Sequence, residues 1–243
     1  MAKGETKISN AAREPEIEDL SKCLIKMGAK IEGHGTKTIL VQGVTNLKKA
    51  EHEIIADRIV AGTYIIAALM LNSALEINNF NTIYLKSLID ILKKMGAKLK
   101  VSKNSIKVSK GSKLKSTSLA TNPYPGFPTD LQAQLMSLMC ISDGKSKIKE
   151  TIFENRFMHV PELNRLGANI TVEKDTATII GNQTFKGAQV MASDLRASIS
   201  LVLAAMNANG QTTLNRVYHL DRGYENIEKT LGSLGAKIKR QKN

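Results

Sequence analysis

Three aspartates and three arginines are placed where they could do chemistry. Asp57, Asp130 and Asp194 each open an apolar run with helical spacing, 39, 37 and 41 residues ahead of Gly96, Gly167 and Gly235. An aspartate there reads as a helix N-cap, its carboxylate accepting from the first free backbone N–H groups. Arg156, Arg196 and Arg222 each fall near the start of a helical segment, where unpaired N–H groups and the helix dipole already favour an anion. An arginine's planar fork matches a carboxylate or phosphate through two bonds, which a lysine cannot do. The ordinary alternative for each arginine is a salt bridge to a nearby Asp or Glu. Other constellations are weak. His34, His52, His159 and His219 lack metal-ligand spacing. Cys23 and Cys140 sit in apolar helical stretches and read as reduced core thiols. No Gly-rich phosphate loop occurs, and Ser198 and Ser200 lack a hydrolase elbow. No metal or cofactor is expected.

The elements that must position these residues come from a repeated phrase. Leu24-Ile-Lys-Met-Gly28-Ala-Lys-Ile31 returns as Leu92-Lys-Lys-Met-Gly96-Ala-Lys-Leu99, Leu163-Asn-Arg-Leu-Gly167-Ala-Asn-Ile170 and Leu231-Gly-Ser-Leu-Gly235-Ala-Lys-Ile238. The glycines are 68, 71 and 68 residues apart, so the chain reads as an array of one supersecondary unit. Each phrase predicts the end of an amphipathic helix, a glycine with positive φ, and the start of a strand. The unit reads as helix, strand, helix and a two-stranded hairpin, with a leading strand before the first helix. From Asp57 the helix is apolar on more than one face and should be buried. Leu75–Phe80 alternates as a strand, Tyr84–Met95 is a second helix, and Lys98–Val101 with Ser105–Val108 form the hairpin. The third copy repeats this as Asp130–Ser142, Ser146–Thr151, Val160–Leu166, Asn169–Val172 and Ala177–Ile180.

Both ends of the array read as incomplete. The first copy has no aspartate-led helix, and the last stops after a strand at Lys237–Arg240, where the other copies have a second hairpin strand. An unpartnered strand leaves N–H and C=O groups open along an edge. The expectation is therefore a fragment whose preceding part would supply the absent helix and strand. Residues 1–46 would be a half-repeat of an otherwise missing first domain, and residues 47–243 a three-repeat domain lacking its closing N-terminal strand.

Composition narrows the class. The 243 residues are 42% hydrophobic, enough to bury a core, and no apolar run reaches membrane-spanning length. The first residues lack the hydrophobic core of a secretory signal, which predicts a cytoplasmic protein. Thirty-five basic against 22 acidic side chains give a net charge of +13, which suits anionic partners in general. The lysines are scattered, and five Tyr with five Phe supply few stacking platforms. Nucleic acid is thus not the expected partner.

Repeats of this kind resemble the enolpyruvyltransferases, whose fold is an inside-out α/β barrel of six such copies in two domains. On that resemblance three and a half copies are present here. Five segments are more particular: Asn10–Ile17, Phe127-Pro-Thr-Asp-Leu-Gln-Ala-Gln134, Glu154-Asn-Arg-Phe-Met-His-Val-Pro-Glu162, Ala192-Ser-Asp-Leu-Arg-Ala-Ser198 and Tyr218-His-Leu-Asp-Arg-Gly-Tyr-Glu225. They resemble the branch whose acceptor is UDP-N-acetylglucosamine rather than the one acting on shikimate phosphate.

The resemblance implies transfer of the enolpyruvyl group of phosphoenolpyruvate to the 3-hydroxyl of UDP-N-acetylglucosamine, the first committed step of peptidoglycan synthesis. By it, Asp130 contacts that hydroxyl as general base. Arg196 and Arg222 hold phosphoenolpyruvate, Arg156 lies beside the sugar nucleotide, the backbone of Ile152 contacts the nucleotide sugar, and Asp194 sits beside the reacting centre. The family's loop cysteine lies in a portion that this chain does not match. The isolated chain is therefore expected to be inactive and to work with a separately supplied N-terminal portion. The alternative is a non-catalytic remnant, or a module holding a phosphorylated ligand or nucleic acid through its positive charge.

Overall fold

The computed structural model describes residues 2–241. The repeated phrase has one physical explanation. Gly28, Gly96, Gly167 and Gly235 have φ of +103°, +98°, +99° and +98°, a conformation open to glycine without penalty. In each case the following alanine N–H donates back to the phrase leucine: Ala29 to Leu24, Ala97 to Leu92, Ala168 to Leu163 and Ala236 to Leu231, at 2.9–3.0 Å. That is the long bond of the Schellman helix ending.

The elements run β1 (Glu5–Ser9), α1 (Pro15–Lys26), β2 (Lys30–Glu32), β3 (Thr38–Gln42), then α2 (Arg58–Met70), β4 (Leu75–Asn78), α3 (Lys86–Lys94), β5 (Leu99–Val101) and β6 (Ser105–Val108). There follow β7 (Leu119–Ala120), α4 (Gln132–Ile141), β8 (Lys145–Lys149), α5 (Val160–Arg165), β9 (Asn169–Glu173) and β10 (Thr176–Ile180). Last come β11 (Gln189–Met191), α6 (Leu195–Met206), β12 (Thr213–Asn215) and α7 (Ile227–Ser233). The sheet orders are β1-β3-β2, β4-β6-β5 and β7-β8-β10-β9, so in each the second hairpin strand lies in the middle, antiparallel to both neighbours. The leading strands β7 and β11 pair in parallel with β8 and β12.

The apolar helices are inside. Eleven of the 13 residues of α2 and nine of the ten of α4 are buried, and α4 packs against both α2 and α6. The strands lie outside and show one face to water, as β8 does by burying Ser146 and Ile148 while Lys145, Lys147 and Lys149 stay exposed. Gly62 of α2 sits where helices approach closely. A Cβ there would lie 2.7 Å from Leu131 Cδ1 and 3.1 Å from Leu88 Cδ2. The first 46 residues are tied to the rest by Arg58, whose Nε donates to Glu16 Oε1 at 2.9 Å and whose guanidinium lies over the Tyr124 ring.

Several expectations need correction. Glu5–Ser9, for which the sequence pattern carries no expectation, forms a strand whose side chains are all exposed and which pairs with β3 through the backbone. No leading strand precedes α2 among the described residues. Lys237–Arg240 is not a strand, because the middle strand that would pair with it has no counterpart beside it among the described residues. Arg240 is held instead by Asp221, through two bonds of 2.6 and 3.0 Å. Of the two expected core thiols, Cys140 is fully buried, which pushes its pKa up to about 12, whereas Cys23 is half-buried. Arg222 ends a 3-10 turn, Val217–Arg222, five residues ahead of α7, and Arg156 lies in a turn ahead of α5. Only Arg196 stands in the first turn of a helix.

Candidate active site

The three aspartates at equivalent positions do different work. Asp57 and Asp194 cap their helices, each accepting two N–H groups: Ile59 and Val60 at 2.7 and 3.0 Å, Arg196 and Ala197 at 2.8 and 3.0 Å. Asp130 caps nothing. It lies within a 3-10 turn, Thr129–Leu131, that starts at Pro128 and runs into α4. The fully buried Leu131 pins that turn. The carboxylate of Asp130 faces outward and accepts from two arginines, Oδ1 from Arg156 Nη2 at 2.8 Å and Oδ2 from Arg196 Nη2 at 2.9 Å.

Each of those guanidiniums has five N–H donors and commits one to Asp130. Both therefore keep N–H donors to spare for a further anion. Burial works to lower the pKa of Arg196, but the hydrogen bond it donates to Asp130 and the charge of that carboxylate outweigh this and hold it above the ordinary value. Arg156 lies over the Phe153 ring, 5.3 Å from its centre. Asp194 enters indirectly: by capping α6 it fixes the turn from which Arg196 projects. Beside it His159 is buried, which pushes the imidazole down to about 4; the charge of Asp194 opposes that shift and Arg156 adds to it.

Ile152 is half-buried and its N–H is taken by Glu150 at 2.9 Å, so only its carbonyl is left to meet a ligand. Arg222 is exposed and, among the described residues, makes no side-chain hydrogen bond or ion pair. The structure therefore brings Asp130, Arg156 and Arg196 together, links Asp194 and Ile152 to them through the backbone, and leaves Arg222 apart.

Sequence reasoning missed Glu150 and a buried relay. Glu150 is 4% exposed and ends the lysine-rich run Lys145–Lys149; a lone acid at that place was the available signal. In the relay, Gln134 Nε2 donates to the Asp130 carbonyl at 2.9 Å and to Thr63 Oγ1 at 3.2 Å. The Tyr224 hydroxyl lies 2.8 Å from the same Thr63 oxygen, which itself donates to the Ile59 carbonyl. With its one proton so committed, Thr63 accepts from both partners. The relay joins the turn of Asp130 to the segment that follows Arg222. Among the described residues no three His, Cys, Asp or Glu side chains gather as a metal site, and no helix is long and apolar enough to cross a membrane.

Comparison with known proteins adds a second line of evidence. The sequence profile of the family described as EPSP synthase (3-phosphoshikimate 1-carboxyvinyltransferase) matches residues 1–231. The chain is 52% identical over 240 residues to the UDP-N-acetylglucosamine 1-carboxyvinyltransferase of Pelagibacter ubique, covering 99% of this chain and 58% of that protein. It is 54% identical over 241 residues to the protein of the same name from Azorhizobium caulinodans, again over 99% of this chain and 56% of the relative. The chain thus spans less than three-fifths of the length of these relatives. Among solved structures it is similar to the enolpyruvyl transferase NikO from Streptomyces tendae, with TM-score 0.88, 28% identity, and coverage of 98% of this chain and 57% of that one. EPSP synthase from Acinetobacter baumannii shares the fold at TM-score 0.76 and 17% identity, over 99% and 59% of the two chains.

Proposed function

The chain belongs to the EPSP synthase family, and on that premise we propose that it provides one wall of a site transferring the enolpyruvyl group of phosphoenolpyruvate to the 3-hydroxyl of UDP-N-acetylglucosamine. The observation that carries this reading is the Asp130 carboxylate, half-buried and held by two arginines instead of capping its helix. The identity of 52–54% to relatives named for that acceptor supports the choice of sugar nucleotide over shikimate phosphate.

In this reading Asp130 takes the proton of the sugar 3-hydroxyl as that oxygen bonds to the enol carbon and the methylene carbon takes up a proton from a donor in the part that completes the site. The new methyl group then loses a proton as the C–O bond to phosphate breaks, which restores the double bond and releases phosphate. General-base assistance of this kind is worth roughly 10²–10⁴-fold. Arg196 and Arg222 hold the carboxylate and phosphate of phosphoenolpyruvate, where bidentate contact gives both orientation and charge. Arg156 and the Ile152 carbonyl face the nucleotide sugar, and Asp194 keeps Arg196 in register. Residues 1–46 form part of a second lobe and residues 47–243 a three-repeat lobe of a six-repeat, inside-out α/β barrel. The site is completed by the part of the relatives that the chain does not match. The process served is peptidoglycan synthesis, in the cytoplasm.

A phosphate-release assay tests this. The 243 residues alone are expected to give no turnover with the two substrates. Mixed with the unmatched part of the Pelagibacter ubique relative, they are expected to release phosphate, with Asp130→Asn lowering the rate about 10²–10⁴-fold. Turnover by the chain alone, or an assembled protein indifferent to Asp130→Asn, would overturn the reading.

A further inference from the structure

Glu150 follows directly on β8 and is 4% exposed. Burying a carboxylate is costly unless its lone pairs are occupied, and here four donors occupy them. Oε1 accepts from Thr121 Oγ1 at 2.8 Å, from the Ile152 N–H at 2.9 Å and from the Phe153 N–H at 3.3 Å, while Oε2 accepts from Thr129 Oγ1 at 2.9 Å. The Thr121 hydroxyl is fixed in turn, because it accepts the Thr151 N–H at 2.9 Å. The four donors come from two stretches of chain, which the Thr151 N–H also joins directly through Thr121. Thr121 and Thr129 bracket the approach to the Asp130 turn, and Ile152 and Phe153 start the loop that delivers Arg156.

We propose that Glu150 is a positioning residue for the Asp130–arginine cluster: through Thr129 it fixes the turn carrying Asp130, and through the Ile152 and Phe153 amides it fixes the loop carrying Arg156. It rests on the reading of Asp130 as the base and deepens it. Glu150 touches no reacting atom. Its effect is to set the 2.8 Å contact between Asp130 and Arg156 from behind, and with it the place from which Arg196 reaches the second carboxylate oxygen. The carboxylate is suited to the task because its oxygens accept from both stretches at once. A glutamine keeps three of the four bonds through its oxygen. Its amide N–H₂ then faces Thr129, whose hydroxyl can reverse and accept.

The test is spectroscopic and needs no turnover. In the ¹⁵N-labelled 243-residue chain, the Nη signals of Arg156 and Arg196 report whether each guanidinium is held by Asp130 or rotates freely. Thr129→Val removes one of the four bonds to Glu150 and leaves the others, so the fold is kept. It is expected to release both arginines, as is Glu150→Ala, while Glu150→Gln keeps them held. In the protein assembled with the unmatched part of the relative, Thr129→Val and Glu150→Ala should lower kcat ten- to a hundredfold, as misplacement of a catalytic group does. Arginine signals unchanged in Thr129→Val sink the proposal, even where Glu150→Ala fails to fold. The two readings fail separately. Released arginines with turnover indifferent to Asp130→Asn would remove the general base and keep the positioning role. Turnover that needs Asp130 while the arginines ignore Thr129→Val would do the reverse.

Discussion

Arg196 and Asp130 meet at 2.9 Å across 66 residues of sequence, and the contact joins the first turn of one buried helix to the turn that leads into the next. Asp194 makes it possible. By capping α6 through the N–H of Arg196 itself, it leaves the guanidinium free to cross to the neighbouring repeat, where Arg156 is already on the other carboxylate oxygen.

Lysine at position 196 keeps the charge and loses the fork. In the assembled protein Arg196→Lys is expected to weaken phosphoenolpyruvate binding ten- to a hundredfold, since each charge-assisted contact is worth about 1.5–3 kcal/mol. Arg222→Lys should weaken it similarly without changing the melting temperature, because Arg222 is exposed and holds no protein partner among the described residues. Calorimetric titration beside the exposed control Lys239→Arg checks both. Unchanged affinity in the two variants would return these arginines to ordinary surface duty.

His159 sets a pH dependence. Burial holds its folded-state pKa near 4, against about 6.5 in an unfolded chain. Between those values the unfolded chain binds a proton that the folded chain refuses, so the contribution is present above pH 6.5 and is lost as the pH falls towards 4. The loss amounts to about 3 kcal/mol at 1.36 kcal/mol per unit. Urea unfolding of the 243-residue chain at pH 7, 5.5 and 4.5 should show it, and His159→Gln should flatten that part of the curve. An equally steep loss in the variant would assign it elsewhere.

Gly62→Ala separates packing from propensity. On an open helix the change would stabilise by about 1 kcal/mol. At position 62 the new methyl meets Leu131 Cδ1 at 2.7 Å, and overpacking of that kind costs roughly 1–3 kcal/mol. Thermal melts are therefore expected to shift downward. An upward shift would mean that α2 and the Asp130 turn are farther apart than described.

Much of this architecture was written in local chemistry. The Leu-to-Gly-Ala phrase specifies a complete helix ending in five or six residues, and all four copies adopt it. Asp57 and Asp194 cap their helices as their positions suggest. Asp130 has the same place in its repeat, and the N-cap reading failed there because Pro128 starts the turn and two arginines from distant segments compete for the carboxylate. No spacing rule reports that competition. The enolpyruvyltransferase resemblance did single out Asp130, Arg156 and Arg196, whereas Glu150 escaped because its role depends on donors 29 residues back and two residues ahead. Strand β1 escaped for another reason: backbone pairing alone holds it, and exposed side chains leave no pattern to read.

The central place of the second hairpin strand also has a consequence for synthesis. In the sheets β1-β3-β2, β4-β6-β5 and β7-β8-β10-β9 the strand that every neighbour waits for is made last. As the chain leaves the ribosome, β4 must stand unpaired through the whole of α3 and β5 until Ser105–Val108 emerges and joins Leu75 to Val108 across the turn of the repeat. In these three sheets the last strand made then pairs with two others at once. Growth of the molecule is therefore quantised by repeats, and the exposed edges that invite wrong partners last for one unit's worth of translation at a time.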